Sequence, residues 1–235
     1  MDKLIDTSVV IRTKNEEKWI GLILEKLLNG LNGIPEIILV DNNSTDSTLE
    51  IASKYPIEII SINEFLPGVA LNMGIAKTTR PFVAIISGHC IPVSDSWLME
   101  LKKAFEFDSK IVGVYGRQVP TKTTPANDVR DLLTIFGPEV RIQSKDPFFH
   151  NANSMIKKSA WESLNFSNIA TNIEDRIWAK EMQSRGFLIC YTPNGEVFHP
   201  HGINHNGNPE RAKRVVSQLQ NYKIYGIPME DFDVQ

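Results

Sequence analysis

The sequence predicts an α/β protein in which a mostly parallel central sheet carries helices on both faces. The first observation is that short apolar runs rich in β-branched residues alternate with segments whose apolar residues recur at helical spacing. The second is that two successive apolar runs, with the helical segment between them, have the length of a right-handed crossover unit, which joins parallel strands. The third is that 235 residues with 42% hydrophobic content are enough for one domain with a substantial core.

The first half of the chain contains four predicted strands and the helices between them. The strands cover residues 7–13, 36–41, 57–62 and 82–87. Residues 19–28 carry one apolar stripe at helical spacing after the first strand. The segment "NNSTDSTLEIASKY" predicts a second helix, and residues 97–105 predict another after the fourth strand.

The second half is less regular. "IVGVYGRQVP" predicts a strand, and "TKTTPANDVRDLLTIFGPE" predicts a loop with a short helix. "NANSMIKKSAWESL" predicts a strand that leads into a helical turn. "NIEDRIWAKEMQSRG" predicts a helix that begins with acids and ends at Gly186. "FLICYTP" and "GEVFHPHG" predict two closing strands.

Composition and charge exclude several classes of function. A net charge of −3 gives no reason to expect nucleic acid as a partner. No GxGxxG, GxxxxGK[ST] or GxSxG motif is present, which argues against dinucleotide oxidoreductases, P-loop enzymes and serine hydrolases. The two cysteines form no disulfide framework, which favours a reducing compartment. The start, "MDKLIDTSVV", lacks a long apolar run, so we expect a cytoplasmic protein, either free or peripheral at the inner face of the membrane.

Polar residues follow three of the predicted strands where each strand ends. They are "TKNEE" after the first strand, "DNN" after the second and "SGH" after the fourth. Because ligands of an open parallel sheet bind beyond the carboxyl ends of its strands, these segments predict one site on a shared rim. The N-termini of the following helices suit a nucleotide or a phosphate. The alternative is that Asp41 and Asn42 only cap a helix.

Six segments, in this order along the chain, carry a resemblance to a known family. They are "SVVIRTKNEEKWIGLILEKLL", "EIILVDNNSTDSTLEIA", "GVALNMGIAKTTRPFVAIISGHCIP", "NANSMIKKSAWESLNF", "NIEDRIWAKEMQSRGF" and "VFHPHG". Together they resemble a family 2 glycosyltransferase with the GT-A fold. "SGHCIPVSDSWLMEL" and "VYGRQVP" are most similar to the rhamnosyltransferase-like branch of bacterial surface-glycan transferases.

The resemblance implies a domain organisation and an activity. Residues 1–118 would form the nucleotide-sugar-binding half of one GT-A domain, residues 119–203 its acceptor-side catalytic half, and residues 204–235 a partly helical tail. A sugar would pass with inversion from a nucleotide-diphosphate-sugar donor to a hydroxyl of a glycan or lipid-linked acceptor, in bacterial surface polysaccharide synthesis. A sugar-phosphate nucleotidyltransferase is an alternative, which the lack of a Gly-rich basic loop after the first strand disfavours.

The resemblance also assigns roles to individual residues. Five would bind the donor nucleotide or its diphosphate: Thr13, Asn15, Glu17, Asp41 and Asn72. Asp175, in "IEDR", would be the base that deprotonates the acceptor hydroxyl, a contribution of about 10²–10⁴-fold in rate. Glu174 would orient this base or contact the acceptor. The alternative for the two acids is that they only complement a helix dipole.

"YGRQVP" places two polar side chains near the end of an apolar run. Arg117 and Gln118 are candidates to bind the donor phosphate or sugar hydroxyls. The alternative for Arg117 is a surface ion pair.

The fourth strand ends in a departure from the family. The family carries acids after this strand, which hold Mg²⁺ or Mn²⁺ against the diphosphate, whereas this chain has "SGHC". Imidazole suits Mn²⁺ or later transition metals better than Mg²⁺. His89 with His199 or His201 is therefore a candidate metal site. The alternatives are a direct contact between His89 and phosphate, with Lys14, Arg117 or Arg176 as compensating charges, and a relative that binds nucleotide sugars or acts as a scaffold without catalysis.

Overall fold

The computed structural model describes residues 4–29, 33–64, 66–200 and 208–226. Within these ranges a single sheet runs through the domain in the strand order β3-β2-β1-β4-β8-β6-β9-β5, and β7 pairs with β9. The strands are β1 (Leu4–Thr13), β2 (Ile34–Asp41), β3 (Glu58–Ser61), β4 (Phe82–Ser87), β5 (Ile91–Pro92), β6 (Ile111–Val119), β7 (Arg141–Gln143), β8 (Asn153–Lys157) and β9 (Leu188–Phe198). The predicted α/β architecture is confirmed.

Helices cover both faces of this sheet. They are α1 (Ile20–Asn29), α2 (Thr48–Ala52), α3 (Pro67–Lys77), α4 (Trp97–Lys103), α5 (Ala126–Ile135), α6 (Lys158–Ser163), α7 (Glu174–Ser184) and α8 (Pro209–Asn221). None of the helices in the described ranges is long and apolar enough to cross a membrane.

The side-chain alternation of β1 divides the core into two layers. Val9 and Ile11 pack in one buried cluster with the apolar faces of α1 and α4, whereas Val10 belongs to a second cluster with α3 and α7. Gly74 lets α3 approach the sheet, because a Cβ atom there would lie 2.7 Å from a methyl group of Val10. Each large side chain buried in these layers stabilises the fold by about 1.5–3 kcal/mol.

The four strands β3, β2, β1 and β4 are mutually parallel, as the sequence predicts. Beyond them the pattern changes, because β8 runs antiparallel to both β4 and β6. The register aligns Thr13 with Asp41 and Arg12 with Ser87. The ends of β1, β2 and β4 therefore meet at one rim.

Two features of the second half differ from the prediction. The two expected closing strands form one continuous strand, β9, in which Pro193 and Gly195 lie at an irregular step in the pairing with β6. Short strands such as β5 and β7 escape prediction because two or three residues carry no periodicity. The boundaries at residues 118 and 203 stay predictions, and the part of the tail described here contains α8.

Candidate active site

The rim formed by β1, β2 and β4 brings two of the predicted polar loops together. Asn15 has a φ of +54°, and its Oδ1 atom accepts a hydrogen bond of 2.8 Å from the backbone N–H of Thr45. The Glu17 Oε2 atom accepts one of 2.9 Å from the N–H of Ser47. These contacts tie the loop after β1 to the loop after β2. In this structure both side chains organise the rim, and their nucleotide contacts stay predictions.

Asp41 lies at the base of the same rim and is completely buried. Its two carboxylate oxygens accept hydrogen bonds from the backbone N–H and the hydroxyl of Ser44, at 2.9 and 2.5 Å. Asp41 thus closes the turn after β2, whereas the residue before α2 is Ser47. A contact with the donor nucleotide stays a prediction.

Thr13 ends β1 beside Gly88, where the chain turns after β4. Its Oγ1 atom is buried and has no hydrogen-bond partner within the described part of the chain. A Cβ atom at Gly88 would lie 2.7 Å from this oxygen, so only glycine leaves the space in front of it open. Thr13 therefore presents an unused hydrogen-bonding group at the predicted nucleotide pocket.

The two imidazoles of His89 and His199 form the centre of a buried polar network. Their Nε2 atoms are 3.2 Å apart. The Nδ1 atom of His89 lies 2.7 Å from Glu16 Oε1, and the Nδ1 atom of His199 lies 2.6 Å from Gln118 Oε1. The amide nitrogen of Gln118 in turn lies 2.9 Å from Nδ1 of His150. Loops from distant parts of the chain therefore meet at one pair of rings.

The proton positions in this network follow from the partners. Carboxylate and amide oxygens accept hydrogen bonds, so each Nδ1 atom that faces one carries a proton. In a neutral ring the Nε2 atom then holds a lone pair. The Nε2 atoms of His89 and His199 therefore face each other at a distance that a shared proton or a cation between them would suit.

The pair fits a metal ion. Two imidazole nitrogens bound to one ion at about 2.0–2.1 Å lie roughly 3 Å apart. The Sγ atom of Cys90 is within 4.8 Å of these nitrogens, because a turn after Ser87 breaks the side-chain alternation that the sequence suggests. Burial, and secondarily the charge of Glu16, raise the pKa of the Cys90 thiol. The two histidines are consequently the better donors. His201, the third predicted ligand, lies outside the described residues.

Arg117 and Gln118 do not share a face, because they are neighbours on the extended strand β6. Gln118 points to His199, as described above. Arg117 instead donates to Glu196 at 3.1 Å and to the carbonyl of Phe136 at 3.2 Å. Binding of the donor by Arg117 and Gln118 stays a prediction. Arg117 forms the ion pair that the sequence offered as its alternative.

Asn72, on α3, has its side-chain amide occupied by protein groups. Oδ1 accepts hydrogen bonds from the Trp161 indole and the Phe166 backbone N–H, at 2.9 and 3.1 Å. Nδ2 donates to the Phe166 carbonyl and to Asn168, each at 2.9 Å. These four contacts join α3 to the segment after α6. The Asn72 side chain therefore has a structural role, and its contact with the donor diphosphate stays a prediction.

Glu174 and Asp175 begin α7 and are both buried. Asp175 accepts hydrogen bonds from the backbone N–H groups of Asn151 and Arg176, at 3.1 and 2.8 Å. Burial and the neighbouring Glu174 nevertheless raise the pKa of Asp175 to about 7. A helix N-terminus stabilises a carboxylate by about 0.3–1 kcal/mol, whereas burial raises a carboxyl pKa by up to about 3–5 units, so burial dominates. Asp175 can therefore take up and release a proton near neutral pH.

Arg12 is a site residue that the sequence analysis missed. Its Nη1 atom lies 3.4 Å from Glu174 Oε1. Both Arg12 Nε and Glu174 Oε2 are buried and lack hydrogen-bond partners among the described residues. The signal in the sequence was a charge that interrupts the apolar run "SVVIRT" at its carboxyl end. Glu16 and His150 carried no comparable signal, because only the tertiary structure brings them to the histidine pair.

The family described as glycosyl transferase family 2 matches residues 8–164, more than half of the chain. The chain belongs to this family.

Among proteins of known name, the chain is similar to the O-antigen chain rhamnosyltransferase WbaN of Salmonella anatum, with 28% identity over 179 residues. The match covers 71% of this chain and 56% of WbaN, so this chain spans little more than half of that relative.

Solved structures support the fold. The chain is similar to the mannosyltransferase PcManGT from Pyrobaculum calidifontis in complex with GDP-Man and Mn²⁺, with a TM-score of 0.72, 18% identity and coverage of 94% of this chain and 64% of that one. It is also similar to glucosyl-3-phosphoglycerate synthase from Mycobacterium tuberculosis in complex with Mn²⁺, UDP and glucosyl-3-phosphoglycerate. The TM-score is 0.66, at 18% identity over 92% of this chain and 79% of that one. The predicted GT-A fold is confirmed.

Proposed function

We propose that this chain is an inverting glycosyltransferase that moves a sugar from a nucleotide-diphosphate-sugar donor to a hydroxyl of a glycan or lipid-linked acceptor. The observation that carries the proposal is the buried carboxyl group of Asp175 beside Glu174 at the start of α7, in a chain of family 2; its burial raises its pKa. The similarity to an O-antigen rhamnosyltransferase supports surface polysaccharide synthesis as the setting. It also makes a deoxyhexose such as rhamnose the first sugar to test.

In the proposed mechanism Asp175 acts as general base. The acceptor oxygen attacks the anomeric carbon while its proton moves to a carboxylate oxygen of Asp175. The bond between that carbon and the diphosphate oxygen breaks, and the nucleoside diphosphate leaves with the electron pair. A base works best when its pKa is close to the working pH, and about 10²–10⁴-fold in rate is typical of such a group. A single displacement inverts the anomeric configuration.

The donor would lie along the rim of β1, β2 and β4. Thr13 offers an unused hydroxyl there, and the loop around Asn15 is held in place by the loop after Asp41. On this geometry the nucleotide lies between these loops and the diphosphate points towards His89. The sugar would then lie between His89 and Asp175, with its anomeric carbon beside the proposed base.

We propose further that His89 and His199 hold a divalent cation. When bound, such an ion stabilises the negative charge that develops on the leaving diphosphate. Glu16 and Gln118 fix the ring orientation by their contacts with the two Nδ1 atoms, an arrangement that is typical of metal-binding histidines. Because both donors are imidazoles, we expect Mn²⁺, Zn²⁺ or a similar ion to bind more tightly than Mg²⁺.

The test is turnover of a panel of donors by the purified chain. dTDP-rhamnose, GDP-mannose and UDP-glucose are each incubated with Mn²⁺ and with a lipid-linked or free glycan acceptor, and the released nucleoside diphosphate is measured. One donor should be consumed, and NMR should show an inverted anomeric centre in the product. Asp175→Asn should abolish turnover and retain donor binding, because the amide cannot accept the proton.

The other readings predict different results. A non-catalytic binding protein or scaffold would bind a nucleotide and turn over no donor. A nucleotidyltransferase would release inorganic diphosphate from a nucleoside triphosphate and a sugar phosphate. Direct contact of His89 with phosphate would leave nucleotide binding unchanged in EDTA, whereas our proposal requires EDTA to weaken it. Location in the cytoplasm or at the inner face of the membrane stays a prediction.

A further inference from the structure

Helix α8, from the basic tail segment, packs beside the start of α7. Apolar residues of α8 and of the turn that follows it form a small cluster with the segment before α7 and with α7 itself. The cluster contains Val215 and Leu219 of α8, Tyr222 and Ile224 after it, and Ala170, Ile173 and Ile177 on the other side. Lys180, on α7, donates a hydrogen bond of 2.7 Å to the carbonyl of Lys223. The tail is therefore anchored on the element that carries the two catalytic carboxylates.

This docking brings Arg211 to the loop that precedes α7. Asn208 caps α8 by accepting a hydrogen bond of 3.1 Å from the backbone N–H of Arg211. The Arg211 side chain reaches Asn172, whose Oδ1 atom accepts a hydrogen bond of 2.8 Å from Nη1. Asn172 has a φ of +63°, a left-handed conformation that costs free energy for most residues. Arg211 thus holds a strained residue that lies two positions before Glu174.

Several charged groups lie around this contact and influence Arg211. Burial lowers the pKa of Arg211, and the neighbouring charge of Arg12 lowers it further, while Glu174 acts in the opposite direction. Arg12 itself contacts Glu174 at 3.4 Å. Two guanidinium groups from opposite ends of the chain therefore flank the carboxylate pair. Several titratable and charged groups surround Asp175 and Arg211: Glu174 and Arg176 on α7, Arg12 on β1, Arg214 on α8, and Tyr225.

We propose that α8 is part of the active site and that Arg211 is a positioning residue for the Glu174–Asp175 pair. Arg211 fixes the left-handed turn at Asn172, and this turn sets where α7 begins and where its first two side chains point. Its charge also favours the ionised form of Asp175. The proposal rests on the proposed function, since it assumes that Asp175 is the base. It gives α8, which belongs to the C-terminal tail, a role in positioning the Glu174–Asp175 pair.

The first test is a set of matched variants in the full chain. Arg211→Ala should lower kcat of donor turnover by about tenfold or more, as misplacement of a catalytic group does, with little change in the donor KM. The acidic limb of the pH profile should move to higher pH, because loss of a nearby cation favours protonated Asp175. Arg211→Lys should restore the pH profile. Lys213→Ala, an exposed change on the same helix, should have no effect.

The second test does not depend on turnover. Asn172→Gly keeps the left-handed backbone accessible and removes the acceptor for Arg211. Hydrogen–deuterium exchange at residues 172–175 should be faster in both Asn172→Gly and Arg211→Ala than in the wild-type chain, and unchanged in Lys213→Ala. If the wild-type chain turns over no donor but these exchange rates rise, the proposed function fails and the positioning role stands. Unchanged exchange, or unchanged kcat and pH profile in Arg211→Ala, would overturn the positioning role.

Discussion

His89 and His199 face each other through their Nε2 atoms at a distance of 3.2 Å. The Nδ1 atom of each ring contacts an oxygen, from Glu16 for His89 and from Gln118 for His199. If both rings were neutral, this geometry would bring lone pair against lone pair, so either a shared proton or a cation between the rings stabilises it. The surrounding fold keeps them together, because His89 follows β4 and His199 follows β9. A cation that binds both rings would stabilise such an arrangement.

The first prediction concerns metal binding. His89→Ala and His199→Ala should each abolish tight binding of Mn²⁺ or Zn²⁺, because one imidazole alone does not chelate. Calorimetric titration of the purified chain with each metal, without nucleotide, measures the affinity and the stoichiometry. The wild-type chain should bind about one ion, and Mg²⁺ should bind more weakly than Mn²⁺. Equal affinity of the wild-type chain and both variants would contradict the assignment.

The second prediction isolates Glu16, which touches a proposed ligand and not the ion. Glu16→Gln keeps a hydrogen-bond acceptor for His89 but removes the negative charge that raises the basicity of the ring. Metal affinity should fall by about 10–100-fold, as is usual for such partners. Glu50→Gln, an exposed change on α2, is the matched control and should leave the affinity as it is. The same affinity in Glu16→Gln and the control would show that Glu16 has no such role.

The third prediction follows from linkage between protonation and stability. The folded state raises the pKa of Asp175 from its usual 3.8 to about 7. Between these values the unfolded chain releases a proton that the folded chain keeps, so the free energy of unfolding falls as pH rises from about 4 to 7. Asp175→Asn removes this loss. The free energy of unfolding of the variant, relative to that of the wild type, should therefore increase by about 1–3 kcal/mol from pH 5 to pH 8.

Urea denaturation at several pH values measures this change. Asp95→Asn, which removes an exposed carboxylate paired with Lys26, serves as the control for the loss of one negative charge. A constant difference between Asp175→Asn and wild type across the pH range would mean that Asp175 does not titrate in this window.

The fourth prediction separates two roles of Asn72. Asn72→Ala leaves the Trp161 indole and the Phe166 backbone N–H without their acceptor, and we expect a loss of about 2–4 kcal/mol in the free energy of unfolding. Met73→Ala, at a partly exposed neighbour, should cost much less. Nucleotide affinity measured well below the unfolding transition should be unchanged in Asn72→Ala. A loss of nucleotide affinity without a loss of stability would instead restore the donor-binding role that the sequence suggested.

Local patterns were sufficient to predict the parallel half of the fold. The run ending at Thr13 and the run ending at Ser87 are buried on both faces, so their composition alone marks them as central strands. The rim followed from these strand ends. The acids at the start of α7 were visible because a helix N-terminus with two carboxylates has a recognisable sequence.

The remaining parts depend on tertiary contacts that no local pattern encodes. Arg117 and Gln118 looked equivalent in the sequence. Their side chains point to opposite faces of β6, so Arg117 pairs with Glu196 whereas Gln118 contacts His199. Arg211 belongs to a segment whose composition is typical of a solvated helix, and its approach to Asn172 depends on how α8 docks.

The pH dependence of kcat/KM for donor turnover tests the central claim, that Asp175 is the catalytic base, most directly. We predict that kcat/KM rises with pH through an acidic limb centred near pH 7, the pKa of Asp175 in the folded chain, and that Asp175→Asn loses turnover across the whole range. A limb centred near pH 4, or undiminished turnover in Asp175→Asn, would contradict this account.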